Sequence, residues 1–202
     1  MYMTAYSNLT PLQIDALKEV GNIGTGNAAT ALSQLLNRKI DMSVPNINIV
    51  SFDEIFHGIG EEEIVYGVLV RVLGDTPGNI LFVFEKDTAN NIIEILTGTR
   101  ETELSELGKS VIEELGNIVS ASYMNAIARF TNLTIIPSVP AVAYDMLGAI
   151  LSTTFIESGQ FDDYVLDIET VFLEDDSEIK GHFYYIPMPG SLEKILNSLG
   201  VM

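Results

Sequence analysis

The chain has 202 residues, a length that suits one domain or two small ones, and apolar residues make up 47% of it, which is enough for a sizeable core. Its formal net charge of −18 repels phosphate backbones and anionic membrane surfaces, so neither a nucleic acid nor a membrane is an expected partner. Cysteine is absent, which excludes disulfides and thiolate metal sites.

The N-terminal residues 1–8 lack the basic start and the apolar core of a signal peptide. No apolar run approaches the roughly 20 residues that a membrane-spanning helix needs. We therefore expect a soluble, cytoplasmic protein.

The first predicted element is a long helix. Thr10 is its expected N-cap, Pro11 suits its first turn, and Gln13 completes a capping box. Its predicted core face consists of residues at helical spacing, namely Leu17, Val20, Gly24, Ala28, Ala31 and Leu35. Residues 64–73 and 79–84 predict two strands joined by a turn, and residues 87–98 predict a helix.

The second half repeats this order. Ser105 is the expected N-cap of another long helix, residues 165–173 and 179–186 predict a hairpin, and residues 190–200 predict a terminal helix. Residues 146–155 suit a strand or a helix, and we prefer a helix because the repeat places them opposite residues 52–58.

An offset of 95 positions aligns the two halves without a gap around these long helices. The aligned pairs include Asp15 with Ser110, Glu19 with Glu114, Gly21 with Gly116, Asn22 with Asn117, and Pro45 with Pro140. We therefore predict a single domain over residues 1–202, made of two repeats at about 9–98 and 104–200. Its expected fold class is α+β, with pseudo-twofold symmetry and an antiparallel sheet that carries the helices on one face.

Three polar residues share one face of the first helix. At about 100° per residue, Glu19 lies about 40° and Asn22 about −20° from Asp15, so the trio spans about 60°. The predicted apolar face lies opposite. Gly26, and Ala121 in the second copy, leave room for another molecule beside the asparagine. We expect both trios to point outward.

A solvated helix face is the alternative interpretation, and for one copy it is the better one. Two copies weaken it, because a solvated face has no reason to keep Glu-x-x-Asn while Lys18 changes to Glu113. Gly21 and Gly116 each cost about 1 kcal/mol relative to alanine in a helix interior. Close packing against a helix or a sheet is the expected reason for them.

Asparagine does not titrate, but its side chain donates two hydrogen bonds and accepts others, which suits it to holding a water in line with a phosphorus atom. Glutamate suits pairing with a cation beside that phosphate. Neither residue forms a metal site alone, so another molecule has to bring the phosphate, the metal and the cation. Residues 21–26 do not match the nucleotide-binding glycine motifs, and no role is assigned to His57 or His182.

The repeated pattern resembles that of the CheC, CheX and FliY phosphatases of bacterial chemotaxis: Asp or Ser, three residues, Glu, two residues, Asn, then a distant Pro. Both copies match it, through Asp15, Glu19, Asn22 and Pro45 and through Ser110, Glu114, Asn117 and Pro140. The resemblance covers about residues 9–199, and two copies in one such chain are most similar to the CheC type.

The resemblance implies hydrolysis of CheY-P, the aspartyl-phosphate form of the chemotaxis response regulator. It implies that Asn22 and Asn117 orient water and that Glu19 and Glu114 pair with the regulator's lysine. The implied supporting residues are Asp15, Ser110, Pro45 and Pro140. The regulator would supply the Mg²⁺, so no metal or cofactor is expected on this chain, and the deamidase CheD is an implied regulatory partner.

Two other hypotheses stay open. The chain could be a non-catalytic module that sequesters the regulator or CheD through the same face. Alternatively, the polar trios could brace the fold and take no part in chemistry.

Overall fold

The two long helices begin and end as their capping residues dictate. Thr10 Oγ1 accepts a hydrogen bond from Gln13 N at 3.3 Å, and Gln13 Oε1 accepts one from Thr10 N at 2.9 Å, which confirms the capping box. Ser105 Oγ accepts from Gly108 N at 3.0 Å in the second helix. Both helices end at an asparagine with positive φ, Asn37 and Asn132, which lie at aligned positions.

The computed structural model describes residues 9–37, 39–44, 46–99, 105–158, 164–174 and 177–202. The first half contains α1 (Pro11–Leu36), β1 (Asp41–Ser43), β2 (Ile47–Ser51), α2 (Phe52–Gly58), β3 (Ile64–Gly74), β4 (Gly78–Glu85) and α3 (Lys86–Thr97). The second half contains α4 (Glu106–Thr131), β5 (Ile135–Pro137), β6 (Ala141–Met146), α5 (Leu147–Ser158), β7 (Tyr164–Glu174), β8 (Ser177–Pro187) and α6 (Ser191–Ser198).

The element order of the two halves is the same, as the repeat predicts. The helix preferred over residues 146–155 is confirmed as α5, although Met146 itself ends β6. Two short strands follow each long helix, β1 and β2 in the first half and β5 and β6 in the second. Pro140 lies between β5 and β6, and because proline has no N–H to donate to a ladder, it interrupts the strand. Pro45 lies outside the described residues.

Each half completes the sheet of the other half. The central strands follow the order β7-β8-β4-β3, all antiparallel. The first-half strands β1 and β2 pair with β7, whereas the second-half strands β5 and β6 pair with β3. The shared sheet therefore joins the halves through backbone hydrogen bonds at three places.

The pseudo-twofold axis passes between β4 and β8. Insertions that total eight residues in the second half raise the offset from 95 to 103 here, so that residues 78–84 align with residues 181–187 and Leu81 matches Tyr184. These two residues pair directly in the sheet. Equivalent residues can face each other only on a symmetry axis. The register thus confirms the predicted pseudo-twofold symmetry.

Helices cover both faces of the sheet, so the expectation of helices on one face was wrong. Tyr66 and Phe82 pack in a core with α1, α3, α4 and α6, whereas their neighbours Val65 and Leu81 pack in a second core with α2 and α5. The physical reason lies in β4, where every residue from Gly78 to Phe84 is buried. A strand that is apolar on both sides needs a layer on each.

Glycines fix how closely the long helices approach their neighbours. A Cβ on Gly116 would lie 2.5 Å from Val68 Cγ1 of β3, and one on Gly24 would lie 3.0 Å from Tyr123 Cα of α4. The close packing expected of Gly116 is therefore confirmed. A Cβ on Gly21 would make ordinary contacts at 3.7 Å or more, so in α1 the tight contact is at Gly24 instead.

The predicted core face of α1 is correct except at its end. Of its members, Val20, Gly24 and Ala28 are buried, Ala31 is half-buried, and Leu17 packs against the core. Leu32, which was not predicted to lie on this face, is also buried. Leu35, in the last turn, is exposed, so its assignment to the core was wrong. Across the described residues, no helix combines the length and apolar character needed to cross a membrane.

We expect Gly116→Ala to lower the free energy of unfolding by about 1–3 kcal/mol, because the added methyl group overpacks against Val68. Gly26→Ala is the matched control, since an added Cβ there would meet no atom within 4 Å and alanine favours the helix by about 0.5–1 kcal/mol. Urea unfolding of both variants measures the difference. Equal midpoints would contradict the close packing of α4 on the sheet.

Candidate active site

The two polar trios lie on the outward faces of α1 and α4. We call Asp15, Glu19 and Asn22 station 1, and Ser110, Glu114 and Asn117 station 2. All six residues are exposed, as the helical spacing predicts. The first and last members of each trio lie seven positions apart, which is about 10 Å along a helix axis. Each station is thus a short polar row on an exposed helix face.

A buried hydroxyl braces the helix turn beneath each asparagine. Thr25 Oγ1 donates toward Gly21 O at 3.1 Å and Asn22 O at 2.9 Å. Ser120 Oγ, at the aligned position, lies 2.6 Å from Gly116 O and 3.2 Å from Asn117 O. Neither residue was predicted to belong to the site, although a hydroxyl three residues after each asparagine is visible in the aligned halves.

The Asn22 side chain is anchored to the chain segment after α1. Its Oδ1 accepts a hydrogen bond from Val44 N at 3.1 Å. A backbone N–H can only donate, so the oxygen of the amide faces Val44 and the Nδ2 group is left to face outward. This contact also explains the long spacing in the motif, because the proline of the pattern directly follows Val44 in the sequence.

Station 2 differs from station 1 at this anchor. Val44 is 1% exposed, whereas the aligned Val139 is 83% exposed. Within the described part of the chain, no hydrogen bond joins Val139 to the Asn117 side chain, although Pro140 is buried. The asparagine is therefore fixed by the backbone in station 1 and not in station 2.

The surroundings of each asparagine leave space for a partner. Gly26, one turn past Asn22, is exposed, and no atom lies within 4 Å of a Cβ built on it. An open groove between α1 and β1 begins there and includes Thr30 and Lys39. The aligned Ala121 is half-buried. Room for another molecule, predicted from the small residues, is thus present at Gly26.

The two stations also differ in charge. Station 1 has two exposed carboxylates, Asp15 and Glu19, whereas station 2 has only Glu114 because Ser110 replaces the aspartate. Ser110 Oγ instead donates to Glu106 O at 2.9 Å. The attraction between exposed carboxylates and a cation weakens as the ionic strength rises. The trio itself therefore offers a partner's cation two carboxylates at station 1 and one at station 2, whereas the adjacent Lys18 and Glu113 shift the local charge in the opposite direction.

The histidines lie away from both stations. His182 stacks on Tyr184, on the sheet face that carries α2 and α5, and its Nδ1 lies 3.3 Å from Asp167 Oδ1. The hydrogen bond to Asp167 raises the pKa of His182 above its usual value. His57 is exposed on α2, beside the Asp53 carbonyl. Among the described residues, no three His, Asp or Glu side chains group as ligands for a metal ion.

Comparison with known proteins supports the repeat. A family model described as CheC-like matches residues 12–49 and 107–144, two segments with the same offset as Asn22 and Asn117. The protein named CheY-P phosphatase CheC from Bacillus subtilis (strain 168) is 36% identical, over 98% of this chain and 99% of that relative. The similarity therefore extends over nearly the whole length of both proteins.

Solved structures share the fold. FliY from Thermotoga maritima has a TM-score of 0.79 at 23% identity, over 95% of this chain and 98% of that one. The FliM middle domain from H. pylori has a TM-score of 0.72 at 10% identity, over 94% and 99%. At such identities the likeness shows the fold alone.

We expect Asn22→Ala to be less stable than Asn117→Ala by about 1 kcal/mol, because only the first leaves the Val44 N–H without its acceptor. The helix-propensity gain from alanine is common to both variants and cancels in the comparison. Urea unfolding measures both free energies. Equal stabilities would contradict an anchor specific to station 1.

Proposed function

Because this chain belongs to the CheC-like family, we propose that it is a phosphatase that hydrolyses the aspartyl phosphate of the response regulator CheY-P, with stations 1 and 2 as its two sites. One observation carries the proposal above all. The same exposed Glu-x-x-Asn row stands on both long helices of a chain that is 36% identical, over nearly its full length, to a protein named as a CheY-P phosphatase.

In the proposed reaction, Asn22 or Asn117 enters the regulator's active site and orients a water toward phosphorus. The water oxygen forms a bond to phosphorus, the bond from phosphorus to the aspartyl oxygen breaks, and inorganic phosphate leaves. Positioning the nucleophile is most of what phosphoryl transfer requires from a protein side chain. The Oδ1 atom of Asn22 accepts a hydrogen bond from Val44 N. The Nδ2 donor and the second lone pair of Oδ1 therefore remain for the water.

Glu19 and Glu114 are assigned to a cation of the regulator, its active-site lysine. An exposed carboxylate one helical turn before the asparagine would fix the distance between that lysine and the water. The Mg²⁺ is assigned to the regulator and not to this chain. Asp15 and Ser110 are proposed supporting residues, as are Pro45 and Pro140, which follow Val44 and Val139 in the sequence.

The form of the site suits a protein substrate. Each station is a convex helix face that can be inserted into a concave site and that does not enclose a small molecule. The net charge of −18 is compatible with a partner that presents cations around its phosphate. We propose that the chain acts in the cytoplasm and that CheD is a second, regulatory partner.

A non-catalytic binding module is the second candidate. The fold is shared with the FliM middle domain at 10% identity, so the fold itself does not establish catalysis. In that case the same rows would bind the regulator or CheD without turnover. The two candidates differ in how strictly they require the position of the amide group.

We expect the double variant Asn22→Ala plus Asn117→Ala to lose at least about 100-fold of its phosphate release from CheY-P, because both waters lose their positioning group. Phosphate release is measured under single turnover against spontaneous hydrolysis of the regulator. The single variants assign the share of each station. Full activity in the double variant would refute the mechanism.

The pair Asn22→Gln plus Asn117→Gln separates catalysis from binding. An added methylene shifts the amide by about 1 Å or more, so a water-positioning role predicts a loss of about 100-fold in turnover with binding retained. A binding module predicts that both binding and its effect on regulator lifetime persist. Circular dichroism melting of each variant controls for the Val44 anchor.

We expect Glu19→Gln plus Glu114→Gln to weaken CheY-P binding several-fold and to flatten its dependence on salt, because each carboxylate pairs with a cation of the regulator. Glu62→Gln plus Asp87→Asn removes two exposed charges elsewhere and serves as the control. The measurement is KM at two ionic strengths. An identical salt dependence in both variants would contradict the assigned pairing.

A further inference from the structure

An exposed leucine precedes each station by one helical turn. Leu12 and Leu107 lie at aligned positions, three residues before Asp15 and Ser110, and they are 63% and 59% exposed. Neither belongs to the described side chains that pack against the two cores, in contrast to Leu9 and Leu17. Their apolar surface is therefore available to another molecule.

Each leucine lies on the same face of its helix as the station that follows it. Leu12, Asp15, Glu19, Asn22 and Gly26 are spaced by three, four, three and four residues, the spacing that keeps side chains on one seam of a helix. The second row consists of Leu107, Ser110, Glu114, Asn117 and Ala121. Leucine and asparagine lie ten positions apart in each row, which is about 15 Å along the helix axis.

Duplication distinguishes these leucines from ordinary surface residues. A single exposed leucine is common and requires no explanation. Here the residue persists in both halves, while its neighbours Gln13 and Ile14 correspond to Gly108 and Lys109. The two rows therefore share an apolar end as well as a polar one.

We propose that Leu12 and Leu107 are apolar docking contacts for the phosphorylated response regulator, an inference that rests on the function proposed above. An aspartyl phosphate held at Asn22 belongs to a protein domain that has to cover the helix on either side. Inorganic phosphate could not reach both residues across about 15 Å. A second copy of this chain is a poorer occupant, because it would bring its own carboxylates and a charge of −18 to the same surface.

The contact lies away from the reacting atoms, so it contributes equally to the ground state and the transition state. We therefore expect Leu12→Ala plus Leu107→Ala to raise KM for CheY-P by about tenfold and to leave kcat unchanged. Leu12→Met plus Leu107→Met should keep the wild-type KM, because the apolar surface persists. Both substitutions are on the surface and should leave the melting temperature unchanged.

Leu35→Ala plus Phe130→Ala is the matched control. These residues are also aligned, exposed and apolar, and they belong to the same two helices, but they lie in the last turns and outside the rows. The control should keep the wild-type KM. A KM that is unchanged in the Leu12 and Leu107 variant, or raised equally in the control, would overturn the proposal.

A binding measurement separates this inference from the proposed function. The Leu12→Ala plus Leu107→Ala change is placed in the Asn22→Ala plus Asn117→Ala background, and its affinity for CheY-P is measured by fluorescence anisotropy. A tenfold weaker complex supports the docking contact even if the wild-type chain proves not to be a phosphatase. Unchanged affinity beside normal wild-type turnover overturns the docking contact alone.

Discussion

The rotation of α1 and α4 about their own axes is the constraint on which both candidate sites depend. A turn of one residue would move a side chain by about 100° and would bury part of each station. A Cβ on Gly116 would overlap Val68 and one on Gly24 would crowd Tyr123, so these contacts constrain how each helix sits. The apolar side of each helix thereby determines which residues face outward.

Strands from each half pair with strands of the other half, so the two stations stand on one shared scaffold. Because β1 and β2 pair with β7, the segment that anchors Asn22 is held by the hairpin of the opposite half. The symmetry is nevertheless incomplete at the anchors, where Val44 is buried and Val139 is exposed. Two sites that share one scaffold can thus differ in how rigidly the asparagine is held.

Sequence reasoning succeeded where one local rule determines the outcome. The capping box at Thr10 and the outward direction of both trios follow from spacing alone, and the repeat follows from alignment. Prediction from the sequence failed where the outcome depends on contacts between distant parts of the chain. The layer formed by α2 and α5 depends on both faces of β4 being apolar. The hydrogen bond from Val44 N to the Asn22 side chain joins residues 22 positions apart, and no helical or strand periodicity predicts it. Catalytic roles and the domain limits remain predictions.

Exposed residues gave more functional information than the core, and the reason is physical. A buried apolar residue is retained by packing whatever the protein does, so its repetition in both halves indicates only a shared fold. An exposed glutamate or leucine contributes little to stability, because water solvates it in the folded and unfolded states alike. When such residues recur in two rows that have otherwise diverged, the fold does not account for them. A partner that touches both ends of the row does, and the roughly 15 Å from leucine to asparagine favours a protein over a small anion.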